Sequence, residues 1–146
     1  MKRIVGSIIF LMSILLTGCE QGVVPETSEA DAIARNFIKA IESKDYESMM
    51  AMVDDEFFGA RSKQEWIAYL TEKDKIMGKM ISYRLKTSTN DTRFSGTFYL
   101  YEYITKYENG LGKEIITMIH KINTNEPLKI FAYKIDSSKL QKLNQN

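Results

Sequence analysis

Gly78 divides this chain by period. Before it, apolar residues recur every three or four positions; after it, they recur every second position. The first spacing puts side chains on one face of a helix, and the second puts them on one face of a strand. Helices that all precede the strands predict an α+β domain, with three N-terminal helices packed on one face of a four-stranded antiparallel sheet.

Ala30, Ile33, Ala34, Phe37, Ile38 and Ile41 form one apolar stripe, with Arg35, Lys39 and Glu42 opposite. They predict a helix over about Glu29–Ser43, capped by Thr27 or Ser28, with Asp31 adding charge to its first turn. Asp45 caps a shorter helix whose inner side carries Tyr46, Met49, Met50 and Val53. Asp54-Asp55-Glu56 interrupts it as a solvated loop, followed by the apolar loop Phe57-Phe58-Gly59. Ser62 and Glu65 form a capping box for a third helix, Lys63–Met77. Trp66, Tyr69, Leu70, Lys73 and Met77 share one of its faces, and Gly78 ends it.

Met80–Ser88 predicts the first strand, closed by a turn at Thr89-Asn90-Asp91. Thr97–Tyr107 alternates strictly, with Tyr99, Tyr101, Tyr103 and Tyr107 on one face and Phe98, Leu100 and Ile104 on the other. Asn109-Gly110 turns the chain into Lys113–Ile122. That strand carries Ile115 and Ile119 on one side and Ile116, Met118, His120 and Ile122 on the other. Asn123–Pro127 turns again, Leu128–Ile135 closes the sheet, and Ser137–Asn146 is expected to fray.

The N-terminus predicts location. Lys2 and Arg3 precede an uncharged apolar run from Ile4 to Thr17, which is the layout of a signal peptide. The run falls short of the about 20 apolar residues that a spanning helix needs. Leu16-Thr17-Gly18-Cys19 resembles the lipobox of bacterial lipoproteins. The resemblance implies cleavage between Gly18 and Cys19, a diacylglyceryl group on the Cys19 thiol and acylation of the new amino group. Two or more chains hold a protein to a membrane where one does not, since each buried CH₂ contributes roughly 0.8 kcal/mol. The expected partition is 1–18 signal peptide, 19–28 lipidated cysteine and tether, 29–137 domain and 138–146 polar tail. The domain is expected outside the cytoplasm on the bacterial cell membrane. In a Gram-negative host, Glu20 points to the outer membrane, facing the periplasm.

Composition removes several function classes. Cys19 is the single cysteine, so cysteine metal ligation, thiol catalysis and disulfides are not expected of the domain. The chain has 20 basic and 19 acidic residues; Lys2 and Arg3 leave with the signal, so the remainder stands one charge below neutral. That balance, without a basic run, argues against a nucleic-acid partner. Glycines are scattered without a phosphate-loop or dinucleotide pattern, so no cofactor is expected. The adjacent acids Asp54-Asp55-Glu56 lack the glycine-spaced arrangement of a calcium loop, so no metal is expected either.

Four residues remain as pocket or interface candidates beside the lone histidine. Tyr99, Tyr101 and Tyr103 present three amphipathic rings on one strand face, as ligand pockets and interfaces do. Trp66 lies on the inner face of the third helix. His120 could act as an acid or base near neutral pH, although it lies on a strand face otherwise made of Ile116, Met118 and Ile122.

The run from Ala30 to Arg35-Asn36-Phe37-Ile38, then Asp45-Tyr46, Trp66 and the tyrosine-rich hairpin, resembles the nuclear-transport-factor-2-like, or cystatin-like, fold over roughly Glu29–Ser137. The resemblance implies a long bent sheet wrapped around helices as a cone with a pocket. Such domains include isomerases, dehydratases, secretion-machine subunits and binding modules, so the fold leaves function open. With no catalytic set in view, the expectation is a non-enzymatic lipoprotein, attached to the membrane through Cys19. It would bind an envelope protein or a small apolar ligand. The alternatives are an isomerase- or dehydratase-type enzyme using His120, and an assembly subunit of a secretion or conjugation complex. A homodimer through the sheet stays open.

Overall fold

The computed structural model describes residues 27–141; the expected signal peptide, Cys19, the expected tether up to residue 26 and residues 142–146 of the expected tail lie outside the described residues. Helix α1 runs over Thr27–Ser43, α2 over Tyr46–Ala51 and α3 over Lys63–Met77, with a 3-10 turn at Asp55–Gly59 between α2 and α3. Thr27 and Ser28, expected as alternative caps, already stand inside α1. Asp45 caps α2 by accepting from Ser48 N. The Ser62–Glu65 capping box opens α3 with both of its hydrogen bonds present.

Four antiparallel strands follow in the order β1 (Met80–Arg93), β2 (Gly96–Tyr107), β3 (Gly110–Lys121) and β4 (Lys129–Asp136). The helices pack on one face of this sheet. Bulges near Met80–Ser82 and Leu85–Thr87 in β1, and opposite Thr117–Met118 in β4, break the register of both outer strands. Bulges bend a strand and increase its twist, which gives the sheet its curvature.

Gly78 allows the change from helix to strand. Its φ of 74° favours glycine, and an added Cβ would stand 2.7 Å from Glu108 Oε2. That carboxylate accepts from Lys79 N at 2.9 Å, while Asn109 Nδ2 donates to Ile76 O at 3.1 Å. The β2–β3 turn thus closes the C-terminal end of α3 and fixes β2 against it.

The structure corrects three local expectations. Thr89-Asn90-Asp91 is not a turn: it pairs with Leu100, Tyr99 and Phe98 as part of β1, and the chain reverses at Phe94-Ser95. Cross-strand pairing outweighs local turn preference in an edge strand exposed to water. Ser137–Leu140 does not fray. Ser137 Oγ donates to Leu111 O at 2.9 Å, and Leu140 is fully buried in a second 3-10 turn.

The third correction concerns Asp54, which is buried rather than solvated. It accepts from Glu56 N at 3.1 Å and meets Lys121 Nζ at 2.9 Å, and Asp54 N donates to Ile130 O at 2.8 Å. Burial pushes its carboxyl up. The hydrogen bonds from Lys121 and Glu56, with the charges of Lys121 and Lys129, outweigh burial and leave it below its ordinary 3.8. A folded value below the unfolded one stabilises the fold above pH 3.8, and that stability is lost as pH falls through the folded value. Thermal scans from pH 5 downward should therefore show a shallower fall in midpoint for Asp54→Asn than for the parent chain.

The core is aromatic. Phe57 stacks on Trp66 with centroids 4.7 Å apart, Trp66 meets Tyr69 edge-on at 5.7 Å, and Phe37 meets Tyr133 at 5.4 Å.

Candidate functional site

Alternation carries the inward face of each strand to a known set of neighbours. On β2 it is Tyr99, Tyr101, Tyr103, Thr105 and Tyr107; on β3 it is Gly112, Glu114, Ile116 and Met118. Glu114 lies opposite Tyr103 on β2 and Ile135 on β4, and is fully buried. A carboxylate there is costly unless hydrogen bonds replace its water. Tyr133 OH donates to Glu114 Oε2 at 2.9 Å, and Tyr107 OH donates to Glu114 Oε1.

Gly112 makes the second of those bonds feasible. A Cβ there would stand 3.2 Å from Tyr107 Cε2 and 3.3 Å from Ile135 Cδ1. The bare backbone leaves room for the Tyr107 ring to cross the sheet towards β3.

Helix α3 closes the site from above. Tyr69 and Lys73 are one turn apart on its inner face, and both are buried. The Lys73 ammonium stands 5.0 Å from the Tyr107 ring centroid and 2.9 Å from Asp74 Oδ1. Asp74 also holds Lys44 at 3.3 Å, so one carboxylate serves two ammonium groups. Lys73 lines a cleft of about 240 Å³ together with Ile41, Lys44, Asp74, Lys79 and Met80. Arg61 caps the other end, its guanidinium 4.7 Å from the Tyr69 ring and 5.3 Å from that of Trp66.

These surroundings hold the tyrosines neutral. Burial pushes Tyr69 up to about 12; Arg61 pulls it down and the Glu114 charge pushes it up. Burial and then the Glu114 charge raise both Tyr107 and Tyr133 far above the ordinary phenol value. Both stay hydrogen-bond donors at any physiological pH.

The sequence-derived candidates lie away from the Lys73 cleft, and Tyr99 and Tyr101 line a small pocket of their own with Ser88, Thr89 and Asn90. Tyr99, Tyr101 and Tyr103 are buried on the inner face under α1, and Asp31 accepts a hydrogen bond from Tyr101. Burial and then Asp31 raise Tyr103 to about 12. Trp66 lies in the core, its Nε1 without a hydrogen-bond partner among the described residues. His120 is half-buried opposite Thr97. Six residues of strand, about 20 Å, separate it from Glu114. Among the described residues no group of three or more potential metal ligands converges.

Sequence reasoning missed Glu114 and Tyr133, and read Tyr69, Lys73 and Tyr107 only as positions on a face. One signal was present: Glu114 has the parity of Ile116 and Met118, so it is an acid at an inward position.

No family model matches this chain, and no curated protein matches it. Solved structures do. An NTF2-like protein of unknown function from Pseudomonas putida KT2440 aligns at TM-score 0.52 and 13% identity, over 75% of this chain and 84% of that one. An NTF2-like protein from Cytophaga hutchinsonii ATCC 33406 aligns at TM-score 0.50 and 10% identity, over 77% and 98%. The fold is NTF2-like. Bdellovibrio bacteriovorus Bd1075 aligns at TM-score 0.53 and 11% identity over 76% of this chain. The alignment spans about two fifths of Bd1075, 41% of its length.

A structure from Shewanella denitrificans OS-217, named as belonging with SnoaL-like polyketide cyclases, also aligns, at TM-score 0.39 and 13% identity over 79% of this chain and 96% of that one. The expectation of a non-enzymatic chain is corrected, because its premise fails. His120 had been the one acid–base group weighed, whereas this NTF2-like sheet buries Glu114 between two phenols. Among the described residues no helix is long and apolar enough to cross a membrane.

Proposed function

We propose that this chain is a lipid-anchored envelope protein whose domain binds a small carbonyl-bearing molecule at the Lys73 cleft and moves a proton on it. The observation that carries the reading is Glu114, an acid without solvent exposure held by two tyrosine hydroxyls. Hydrophobic residues would fill such a core at less cost. The two partners of Glu114, Tyr107 and Tyr133, are raised far above the ordinary phenol value by burial and then by the Glu114 charge, and groups perturbed in this way gather at functional sites.

The roles follow from position. Lys73 offers its ammonium to an oxygen bound in the cleft and stabilises negative charge that develops there. Tyr107 stands between Lys73 and Glu114. A ligand that reaches past Lys73 to the buried Tyr107 hydroxyl passes a proton to its oxygen as the Tyr107 proton passes to Glu114. The negative charge moves from Glu114 to the ligand oxygen beside Lys73, and the reverse sequence returns the proton at another atom. This is isomerase-type chemistry, with Glu114 in the place first considered for His120.

Exchange of α-protons of cyclohexanone in D₂O, followed by NMR, tests this reading. The parent chain should accelerate exchange. Glu114→Gln should lose about 100-fold or more, the usual worth of a positioned acid–base group. Lys73→Met should lose activity while keeping its unfolding midpoint. Equal exchange rates for the parent and folded Glu114→Gln would remove the proposal.

The anchor rests on Leu16-Thr17-Gly18-Cys19. Mass spectrometry of the protein from its native host should find a chain beginning at Cys19 and carrying lipid. An unmodified or full-length product would refute the anchor and leave the pocket chemistry standing.

A further inference from the structure

Helix α1 has a fixed direction along the sheet. Glu29 acts electrostatically on Tyr99, and Asp31 bonds to Tyr101. At the other end, Ile41 and Lys44 line the cleft with Lys73 and Met80, and Met80 pairs with Tyr107. The described chain therefore enters, at Thr27, at the end of the sheet where β1 turns into β2.

That turn is Phe94-Ser95. From Tyr99 to Phe94 the strand extends a further five residues, about 17 Å. Ser88–Ser95 is exposed throughout, and Phe94 is wholly exposed at the apex. Ile122, also exposed, donates its backbone N–H to Ser95 O at 3.3 Å, so a second apolar side chain flanks the turn. Turn positions favour Gly, Asn, Asp and Ser. A phenylalanine at one of them contributes nothing to the fold of the isolated domain.

We propose that the Phe94–Ile122 tip rests in the interfacial layer of the phospholipid bilayer that holds Cys19. The inference rests on the lipid-anchor reading above. Cys19 precedes Thr27 by eight residues, which span at most about 29 Å fully extended. The bilayer therefore lies within that distance of the first turn of α1, and the hairpin tip, about 17 Å beyond the level of that turn, comes within its reach. The opposite end of the sheet, with exposed Leu111, stands about 25 Å further away along α1. Arg93, next to the tip and paired with Asp91 at 2.7 Å, can reach phosphate level while the ring enters the acyl boundary.

The test uses the full chain, isolated from the membrane fraction of expressing bacteria and reconstituted in vesicles of phosphatidylcholine and phosphatidylglycerol. Phe94→Trp emission, after subtraction of the parent chain with its core Trp66, should shift to the blue and be quenched by doxyl-labelled lipid. Leu111→Trp should show neither effect. Equal responses at both positions, or no response from Phe94→Trp in a chain that floats with the vesicles, would overturn the proposal. So would a Phe94→Trp shift that follows protein concentration without lipid, which would assign the tip to a second copy. Flotation separates the two readings: a Cys19→Ala chain that floats as well as the parent would refute the anchor instead.

Discussion

Glu114→Ala should lower the unfolding midpoint by about 10–20 °C, the largest effect expected of any single substitution in the sheet. The change removes the acceptor of two phenols that have no access to water. Each buried donor left unpaired costs about 1–3 kcal/mol, and breaking a buried charged network from one side costs about 3–5 kcal/mol. Differential scanning calorimetry would measure it. Glu114→Gln keeps the volume and one acceptor oxygen, and should lose less. The triple change Tyr107→Phe, Glu114→Leu and Tyr133→Phe removes the whole network. It should recover most of the stability, because a packed apolar core is at least as stable as a satisfied buried charge. A triple variant as unstable as Glu114→Ala would show that the network serves the fold, and would weaken the case for proton transfer.

Phe37→Ala should cost about 3–5 kcal/mol in urea unfolding, the range for deleting a buried phenyl ring. Phe37 is fully buried in α1 and meets Tyr133 at 5.4 Å and Phe57 at 6.4 Å, so its ring joins the helices to β4. Its loss also opens space beside one of the two donors to Glu114. Phe37→Leu keeps most of the volume and should cost about 1 kcal/mol. A small loss for Phe37→Ala would mean that α1 is held elsewhere, and that the tyrosine face beneath it is less enclosed than its burial implies.

The two substitutions probe different kinds of legibility. Phe37 was placed in the core by spacing alone, because a helical stripe is a local pattern that each residue repeats. The same holds for the bounds of α3, where a capping box and a glycine mark the two ends chemically. The tyrosine face of β2 was readable as a face, but not as the face turned inward. Both faces of Thr97–Tyr107 carry large residues, and only the helices settle which one is covered. Thr89-Asn90-Asp91 misled because its turn preference is local, while the pairing that overrides it comes from β2.

The sequence by itself determined the order and type of the elements, since periodicity, caps and turn residues act over a few neighbouring positions. It also carried Leu16-Thr17-Gly18-Cys19, whose resemblance to a lipobox is a contiguous pattern that needs no fold. Only the tertiary structure decided the site. Lys73, Tyr107, Glu114 and Tyr133 come from one helix and three strands, and are joined through bonds across the sheet and a cation over a ring. A buried acid looks like any other glutamate until the chain closes over it. Its meaning depends on which hydroxyls replace its water, and that is fixed by contacts between residues far apart in the chain.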